Sequence, residues 1–146
     1  EAFGDAAITT DIMVGFPGES CEEFEKTMEF VKEISFAEAH IFKYSIRKGT
    51  VAEKMPNQIL PDVKEERSKR LIELTKTTQE AFLNSHTGKT VNVLFEREHK
   101  GISGLYEGKT DNYITVIAKS DKDISGQILP VKIISVKSGI ATGEIL

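Results

Sequence analysis

The chain has 146 residues and a mass of 16.2 kDa, with 39% hydrophobic and 29% charged side chains. These values are typical of one or two small globular domains. The length excludes a complete (β/α)₈ barrel, which needs about 250 residues. Because the chain begins with Glu1 and its first element is already a strand, we expect it to be part of a longer protein.

The formal net charge of −4 is unevenly distributed. Acidic residues outnumber basic ones by 16 to 11 in residues 1–86, whereas basic residues outnumber acidic ones by 8 to 7 in residues 87–146. A uniformly basic nucleic-acid-binding protein, with a pI above about 9, is excluded. A local basic surface on the second part of the chain is not excluded.

Cys21 is the only cysteine, so this chain alone can form neither an intrachain disulfide nor a cysteine-ligated zinc or iron–sulfur site. We therefore predict no metal site in the chain, and cysteine usage favours an intracellular, cytoplasmic location. No run of about 18 apolar residues is present, so we expect no membrane span and no membrane partner.

The first elements follow a strand–helix–strand order. The apolar, β-branched run of residues 6–16 predicts a strand that is buried on both faces in a parallel sheet. Ser20 and Glu23 have capping-box spacing at the start of a predicted helix over residues 20–34. A second strand is predicted over residues 38–45, and the order indicates a parallel βαβ unit.

A long amphipathic helix is predicted over residues 61–85, with Asp62 and Glu65 as its capping residues. Two i,i+4 ion pairs in the favourable order are expected on its surface: Glu65 with Lys69, and Glu66 with Arg70.

After residue 88 the chain contains five short runs of β-forming residues, separated by turns rich in glycine and aspartate. Gly108 and Gly143 are interpreted as two of the residues that separate the strands. Five short strands at this spacing indicate a small β-barrel. The predicted strands are residues 91–95, 104–107, 113–118, 131–136 and 140–145.

Two candidate site loops follow the predicted strands of the βαβ unit. The segment from Gly15 to Glu19 joins a strand to a helix N-terminus, where backbone amides and the helix dipole can meet a polar or anionic ligand. Arg47 lies just after the second strand and can bind a carboxylate or phosphate bidentately. The alternative interpretation is a tight connection and a solvated loop.

In the second part of the chain, Tyr106 and Tyr113 lie among several lysines and Arg97. Exposed aromatic side chains flanked by cations are typical of a surface that holds single-stranded nucleic acid. The alternative is that the tyrosines close the barrel and the cations keep it in solution.

Taken together, the motifs resemble those of the radical S-adenosylmethionine methylthiotransferases, at the C-terminal end that carries a TRAM domain. The resemblance covers essentially the whole chain. It rests on TDIMVGFPGE at residues 10–19, FKYSIRKGT at residues 42–50, the helix that contains Arg67, and the terminal segment. Members of this family add a methylthio group to tRNA adenosines or to a ribosomal protein.

The resemblance favours one branch of that family. Arg47, in the Tyr-Ser-x-Arg-x-Gly-Thr pattern, argues against the ribosomal-protein branch, which tends to have an acidic residue there. His40 before Phe42 and Tyr44 resembles the branch that acts on N6-threonylcarbamoyladenosine next to the anticodon. The branch that acts on isopentenyladenosine is the alternative.

The resemblance implies a parent enzyme with S-adenosylmethionine and two [4Fe–4S] clusters, which activates C2 of the adenine by radical chemistry. The family's Cys-x₃-Cys-x₂-Cys motif is absent from this chain, so we expect the chain alone to be inactive, without catalytic residues or bound cofactor. Gly15, Pro17, Gly18 and Glu19 would line the S-adenosylmethionine side of the site, and Arg47 would face the cofactor or the substrate.

The same resemblance implies that the terminal segment holds the anticodon arm of a tRNA. Tyr113 is expected to stack on a base, and Arg97 and Lys132 are expected to contact phosphates.

The resulting fold class is α+β. Residues 1–86 are expected to form the C-terminal part of a partial α/β (TIM-like) barrel with a long connecting helix, and residues 87–146 an OB-like, five-stranded antiparallel TRAM barrel. A freestanding RNA-binding module is one alternative. A docking fragment is another, and the unpaired edge of the first strand leads us to expect self-association.

Overall fold

The computed structural model describes residues 5–146, so the first four residues of the expected first domain lie outside the described residues. The chain divides into two compact units, residues 8–79 and residues 80–146 together with residues 5–7. The elements in chain order are β1 (Thr9–Val14), α1 (Cys21–Ile34), β2 (Glu38–Lys43), α2 (Pro61–Asn84), β3 (Thr90–Glu98), β4 (Leu105–Lys109), β5 (Thr115–Lys119), β6 (Ile128–Lys137) and β7 (Ile140–Ile145). Single 3₁₀ turns lie at Ala52–Lys54 and His99–Gly101.

The unit of residues 8–79 contains the predicted strand–helix–strand arrangement. β1 and β2 pair in parallel, from Thr9 opposite Glu38 to Val14 opposite Lys43, and α1 connects them. One hydrophobic cluster holds the sheet against both helices. Its buried members are Val14, Phe24, Val31, Phe36 and Leu71.

The prediction that the first strand is buried on both faces is wrong. Val14 is fully buried, but its neighbour Met13 is 44% exposed, and burial alternates along β1. In the part of the chain that the structure describes, β1 pairs with β2 alone. Successive side chains of a strand point to opposite faces, so only the face against the helices is covered.

The predicted capping box of α1 is confirmed. The Glu23 amide donates to Ser20 Oγ at 3.1 Å, and the Ser20 amide donates to Glu23 Oε2 at 2.7 Å. The bond from the Ser20 backbone is the main cause that lowers the pKa of Glu23 below its usual value. These bonds satisfy two N–H groups that the first helical turn leaves without partners.

The predicted caps of α2 are wrong, although its surface ion pairs are confirmed. The helix begins at Pro61, where a missing N–H costs nothing, so Asp62 already lies inside it. Glu65 instead binds Lys43 at 2.6 Å. Both i,i+4 pairs are present, Lys69 with Glu65 at 3.6 Å and Arg70 with Glu66 at 3.5 Å.

β3 to β7 form a closed barrel in the order β3-β4-β5-β7-β6, as predicted in number of strands. The prediction of a fully antiparallel barrel is wrong, because β5 and β7 pair in parallel, with Val116 opposite Ala141. A closed ring with an odd number of strands cannot alternate direction all the way round, so at least one neighbouring pair must be parallel. The barrel core contains the fully buried Val93, Phe95, Val116, Val131 and Ala141.

Gly108 and Gly143 do not separate strands as interpreted, since they lie inside β4 and β7. A Cβ on Gly108 would lie 2.7 Å from Val93 Cγ1, and one on Gly143 would lie 2.8 Å from the Lys132 carbonyl oxygen. These glycines are therefore needed where neighbouring strands approach closely inside the barrel.

Among residues 5–146, no helix is long and apolar enough to cross a lipid bilayer.

Candidate functional sites

The two loops predicted as candidate sites contact each other after the carboxyl ends of β1 and β2. We call residues 15–19 the first loop and residues 44–50 the second loop. The Tyr44 amide donates to the Val14 carbonyl at 2.8 Å, which extends the strand pairing into the second loop. The Phe16 and Tyr44 rings meet edge to face, with centroids 5.2 Å apart. Parallel pairing thus brings together two segments that are far apart in sequence.

Backbone N–H groups of the first loop donate hydrogen bonds to acceptors of this same chain. The Gly15 amide donates to Glu19 Oε2 at 2.7 Å, the Gly18 amide to the Asn57 carbonyl at 3.0 Å, and the Glu19 amide to the Phe16 carbonyl at 3.0 Å. These three amides are therefore committed within the chain, which differs from the interpretation that the loop presents them to an anionic ligand. Pro17 is buried, and Gly18 is exposed.

Glu19 and Arg67 form a buried ion pair. Arg67 Nη1 donates to Glu19 Oε2 and also to the Glu19 carbonyl oxygen, the latter at 3.0 Å. The Arg67 side chain is 4% exposed and that of Glu19 is 15% exposed. The Glu19 carboxylate is thus held by a cation and an amide of this chain, and it fixes the first loop to α2.

Sequence reasoning named Arg67 only as part of a motif and missed this ion pair. A signal was present: Arg67 stands on the apolar stripe of α2, four residues before the fully buried Leu71. An arginine in such a position must find a buried partner, because an unpaired buried charge is costly.

Lys64 is a second residue of α2 that supports both loops. Its Nζ donates to the Tyr44 carbonyl at 3.1 Å and lies 4.9 Å from the centre of the Tyr44 ring. Its stem occupies the space beside Gly15, where an added Cβ would lie 3.0 Å from Lys64 Cδ. Gly15 also has a φ of +73°, so both space and backbone conformation require glycine there.

Arg47 lies exposed in the second loop. Its carbonyl oxygen accepts from the Thr50 amide at 3.2 Å and from Thr50 Oγ1 at 2.8 Å. The Gly49 amide donates to Glu53 Oε2 at 2.7 Å, which further fixes the turn. Within the described residues the Arg47 guanidinium forms no hydrogen bond or ion pair, so it is available to an anionic group.

The barrel presents two different ends. The first, which we call the Tyr113 end, is formed by the start of β3, the β4–β5 loop and the β6–β7 turn. The second, which we call the Arg97 end, is formed by the end of β3 and the start of β4, where Glu98 pairs with Tyr106. The strand pairing places Tyr113 at the first end and Arg97 near the second.

Tyr113 lies in the β4–β5 loop rather than in a strand as predicted, since β5 begins at Thr115. It is 78% exposed and has a φ of +65°. Its amide donates to the Thr110 carbonyl at 3.1 Å, and the Ile114 amide donates to Thr110 Oγ1 at 2.9 Å. A bulky side chain at positive φ is strained, so the surrounding bonds must hold this loop in place.

Tyr106 behaves differently from Tyr113. It is 6% exposed and belongs to the barrel core, and burial raises the pKa of its hydroxyl. Tyr106 therefore follows the alternative interpretation, in which a tyrosine packs the barrel.

Arg97 is 72% exposed, but its guanidinium binds Glu107 at 3.2 Å. Glu107 also accepts a 2.6 Å hydrogen bond from Nδ1 of the buried His99. The hydrogen bond from His99 is the largest cause that lowers the pKa of Glu107, and the bond from Arg97 adds to it. Glu107 therefore remains an anion that partly neutralises Arg97.

Lys132 is exposed on β6, opposite Thr90 of β3 and Glu144 of β7. Thr90 and Arg97 are seven residues apart on β3, which corresponds to about 23 Å along an extended strand. The structure thus separates Arg97 from Lys132, which lies nearer to the Tyr113 end.

A buried histidine anchors the Tyr113 loop, and sequence reasoning missed it. His86 is 2% exposed; its Nδ1 donates to the Phe82 carbonyl at 2.9 Å, and its Nε2 accepts from Asn112 Nδ2 at 3.2 Å. Asn112 Nδ2 also donates to the Asp5 carbonyl at 2.9 Å. No spacing in the sequence indicates a contact between residues this far apart.

In the part of the chain that the structure describes, no group of three histidine, cysteine, aspartate or glutamate side chains is arranged to hold a metal ion.

Comparison with known proteins assigns the barrel to a domain family. The model of the TRAM domain matches residues 84–146. The chain is 38% identical over 146 residues to threonylcarbamoyladenosine tRNA methylthiotransferase MtaB of Bacillus subtilis, covering 99% of this chain and 32% of that protein. It is 40% identical to the tRNA-2-methylthio-N(6)-dimethylallyladenosine synthases of Pelotomaculum thermopropionicum and Clostridium tetani, covering 94% and 99% of this chain and 31% and 32% of those proteins.

The chain spans about a third of the length of the curated relatives that it matches. The matches nevertheless run over nearly all of its residues and agree with the resemblance found in its motifs. The chain therefore belongs to the methylthiotransferase family, and it matches the end of those proteins that carries the TRAM domain.

Proposed function

We propose that this chain is the tRNA-contacting part of a tRNA methylthiotransferase, and that its barrel binds the anticodon arm. Membership in the family and the TRAM domain support an RNA partner. The observation that carries the proposal is Tyr113, which is 78% exposed on a loop fixed by hydrogen bonds. An exposed aromatic ring on a hydrogen-bonded loop of a small barrel is suited to stacking on an unpaired base.

The cations have separate roles in this proposal. Lys132 contacts phosphates on the side of the Tyr113 end. Arg97 contacts a different part of the RNA, because it lies about 23 Å along β3 from Thr90, the residue that faces Lys132. Its ion pair with Glu107 lowers the charge that it offers, so Lys132 contributes more to binding.

Fluorescence anisotropy with a labelled anticodon arm tests this proposal. We expect salt-sensitive binding that weakens by about tenfold or more in Tyr113→Ala, since stacking on an aromatic contributes about 1–3 kcal/mol per base. Lys132→Ala should lower the slope of log affinity against log salt by about one. Lys26→Ala, on the exposed surface of α1, is the matched control and should change neither. No binding at low salt, or unchanged affinity in a variant that combines Tyr113→Ala with Lys132→Ala, contradicts the proposal.

For the nucleoside, we propose N6-threonylcarbamoyladenosine, supported by the His40 pattern and by the name of the Bacillus subtilis relative. The dimethylallyladenosine branch is the alternative, supported by relatives of similar identity. Deleting the gene in its source organism and analysing tRNA nucleosides by mass spectrometry distinguishes them. We expect loss of the 2-methylthio derivative of N6-threonylcarbamoyladenosine, whereas loss of the dimethylallyl derivative alone supports the alternative.

The family implies S-adenosylmethionine and two [4Fe–4S] clusters for the parent enzyme. The residues of this chain do not fit the clusters, because it has a single cysteine and the described residues contain no metal-holding group. We propose that the clusters are bound by sequence upstream of Glu1 and that this chain alone is inactive. A cysteine triad in the upstream reading frame is expected, and an in-frame start just before Glu1 would contradict it.

We propose that Gly15, Pro17, Gly18, Glu19 and Arg47 line the S-adenosylmethionine side of the site. Their support is the position of both loops after the carboxyl ends of β1 and β2, where parallel α/β proteins build their sites. Because Glu19 is paired with Arg67, its proposed role is to shape the loop, and Arg47 is the cation that a ligand can reach.

Self-association through β1 is a further proposal. Ile8 is 54% exposed and Met13 is 44% exposed, and β2 is the only strand that pairs with β1 in the described part of the chain. An unpaired strand edge with apolar side chains favours pairing with a second copy. Sedimentation at micromolar concentration should give a dimer, and a monomer whose β1 amides are protected from exchange contradicts the proposal.

A further inference from the structure

We propose that the Tyr113 loop forms a guanine-binding subsite, in which the Tyr113 ring stacks on the base and the Asp111 carboxylate accepts hydrogen bonds from its N1–H and N2–H₂ groups. This inference rests on the proposed function, because it assumes that RNA is the ligand. It goes further by naming the base that the surface selects.

Tyr113 and Asp111 line the same open depression on the barrel unit. The other residues around it are Asp5, Ala6, Ala7 and Asn112. Tyr113 is 78% exposed, so one face of its ring can be covered by a ligand. The depression therefore combines a stacking surface with polar groups from the adjacent residues of the same loop.

The polar groups of Asn112 are already used. Its Nδ2 donates to the Asp5 carbonyl at 2.9 Å and to His86 Nε2 at 3.2 Å. Its Oδ1 accepts from Thr110 Oγ1 at 2.5 Å. With both amide hydrogens committed, Asn112 offers no donor to a base, and it acts instead as the support of the loop.

The remaining charged groups around the depression are acceptors. Asp5 Oδ1 binds Lys89 at 2.7 Å, and this bond is the main cause that lowers the pKa of Asp5. Asp111 is exposed, and within the described residues it forms no hydrogen bond or ion pair. The Asp111 carboxylate is thus the side chain next to Tyr113 that can accept hydrogen bonds from a ligand.

The chemistry of an ionised carboxylate selects among the bases. It has two acceptor oxygens and no donor. Guanine presents two neighbouring donors, N1–H and N2–H₂, on its Watson–Crick edge. Adenine and cytosine present an amino donor beside a ring-nitrogen acceptor, and uracil presents N3–H between two carbonyl oxygens, so each brings an acceptor towards the carboxylate. Guanine alone can pair with it bidentately.

Hydrogen bonds within the chain already hold the loop backbone in one conformation. Tyr113 keeps a φ of +65°, a conformation that is costly for a bulky residue and is retained only where surrounding bonds impose it. Those bonds come from Thr110 and, through Asn112, from the buried His86. A backbone held in this way loses little conformational freedom when a base stacks on the ring that it carries.

Titration of the chain with GMP, IMP, AMP, CMP and UMP, followed by NMR of the Tyr113 ring and the amides of residues 110–114, tests the subsite. IMP is the matched ligand, because it lacks only the 2-amino group. We expect GMP to bind about tenfold or more tightly than the other nucleotides, since a bidentate pair gives discrimination of this order.

Variants separate the two contacts. Asp111→Asn preserves size and should reduce the preference for GMP over IMP to near unity while some stacking remains. Tyr113→Ala should abolish binding of all five nucleotides. Asp121→Asn, an exposed aspartate in the loop after β5, is the control and should behave as the unmodified chain. A dispersed amide spectrum for each variant shows that the barrel is folded.

Equal affinity for GMP and IMP, or an unchanged preference in Asp111→Asn, overturns the guanine subsite. These results leave the proposed function standing if the anticodon arm still binds with salt dependence. Failure of the anticodon arm to bind, with GMP selectivity retained, instead refutes the tRNA partner and leaves the subsite.

Discussion

Arg67, on α2, holds Glu19 at the end of the strand-to-helix loop through one nitrogen that bonds both the carboxylate and the carbonyl oxygen of the same residue. This double contact fixes the side chain and the backbone of Glu19 together. The first loop is thereby shaped by a helix that begins more than forty residues later in the chain.

Replacing Arg67 with methionine should destabilise the chain by about 3–5 kcal/mol, because it leaves the Glu19 carboxylate without its buried partner. Urea unfolding measured by circular dichroism gives the free energy of unfolding. Lys69→Met is the control: its ion pair with Glu65 is exposed, so its loss should cost less than about 1 kcal/mol. Similar losses of unfolding free energy in the two variants would show that the Glu19–Arg67 pair stabilises the chain no more than an exposed ion pair does.

Gly108→Ala should destabilise the barrel by about 1–3 kcal/mol, because the new methyl group would overlap Val93 and the Leu94 carbonyl oxygen across the β3–β4 pair. Thermal unfolding measures this loss. Ser135→Ala, on the exposed part of β6, serves as the comparison and should change stability by less than about 0.5 kcal/mol. An unchanged melting temperature for Gly108→Ala would contradict the close strand approach.

Stability should fall as the pH decreases below about 4.5, in part through Glu107. His99 and Arg97 lower the pKa of this carboxyl in the folded chain below its usual value of 4.5. The unfolded chain then binds more protons in that range, so the stabilisation is present above pH 4.5 and is lost as the pH falls through the folded pKa.

Glu107→Gln removes this contribution, so it should lower stability at neutral pH and flatten the acid limb of a plot of unfolding free energy against pH. Glu96→Gln, at an exposed position of β3, is the matched substitution. If both variants retain the acid limb of the unmodified chain, Glu107 does not cause it.

Asn112→Ala should weaken binding of the anticodon arm while the barrel remains folded, because it releases the Tyr113 loop from His86. The buried His86 Nε2 then lacks its donor, which costs about 1–3 kcal/mol of stability. Anisotropy and amide exchange of residues 110–114 should change together. Faster exchange without weaker RNA binding would show that the loop conformation does not matter for the contact.

Local patterns predicted most of the elements. The Ser20–Glu23 spacing identified the start of α1, and the apolar spacing around Leu71 identified α2. These signals depend on residues within one or two helical turns, and tertiary contacts did not override them. The strand order within the βαβ unit followed from the rule that a helical crossover joins parallel neighbours.

The features that were missed depend on contacts between distant residues. The Glu19–Arg67 and His86–Asn112 contacts join segments that no spacing rule connects. The high β-propensity of tyrosine predicts a strand at Tyr113, whereas the Thr110 bonds impose a turn at that position. The parallel β5–β7 pair follows from the closure of five strands into a ring. Closure depends on how distant strands pair, so the spacing of the strands along the chain does not indicate it.

Binding of tRNA at the Tyr113 end of the barrel is tested most directly by NMR, from the amide shifts of the chain during titration with an unlabelled anticodon arm. We expect the largest shifts on residues 110–114 and around Lys132, with weaker shifts near Arg97, and we expect added salt to reverse them. Shifts confined to residues 8–79, or none at low salt, would contradict binding at this end.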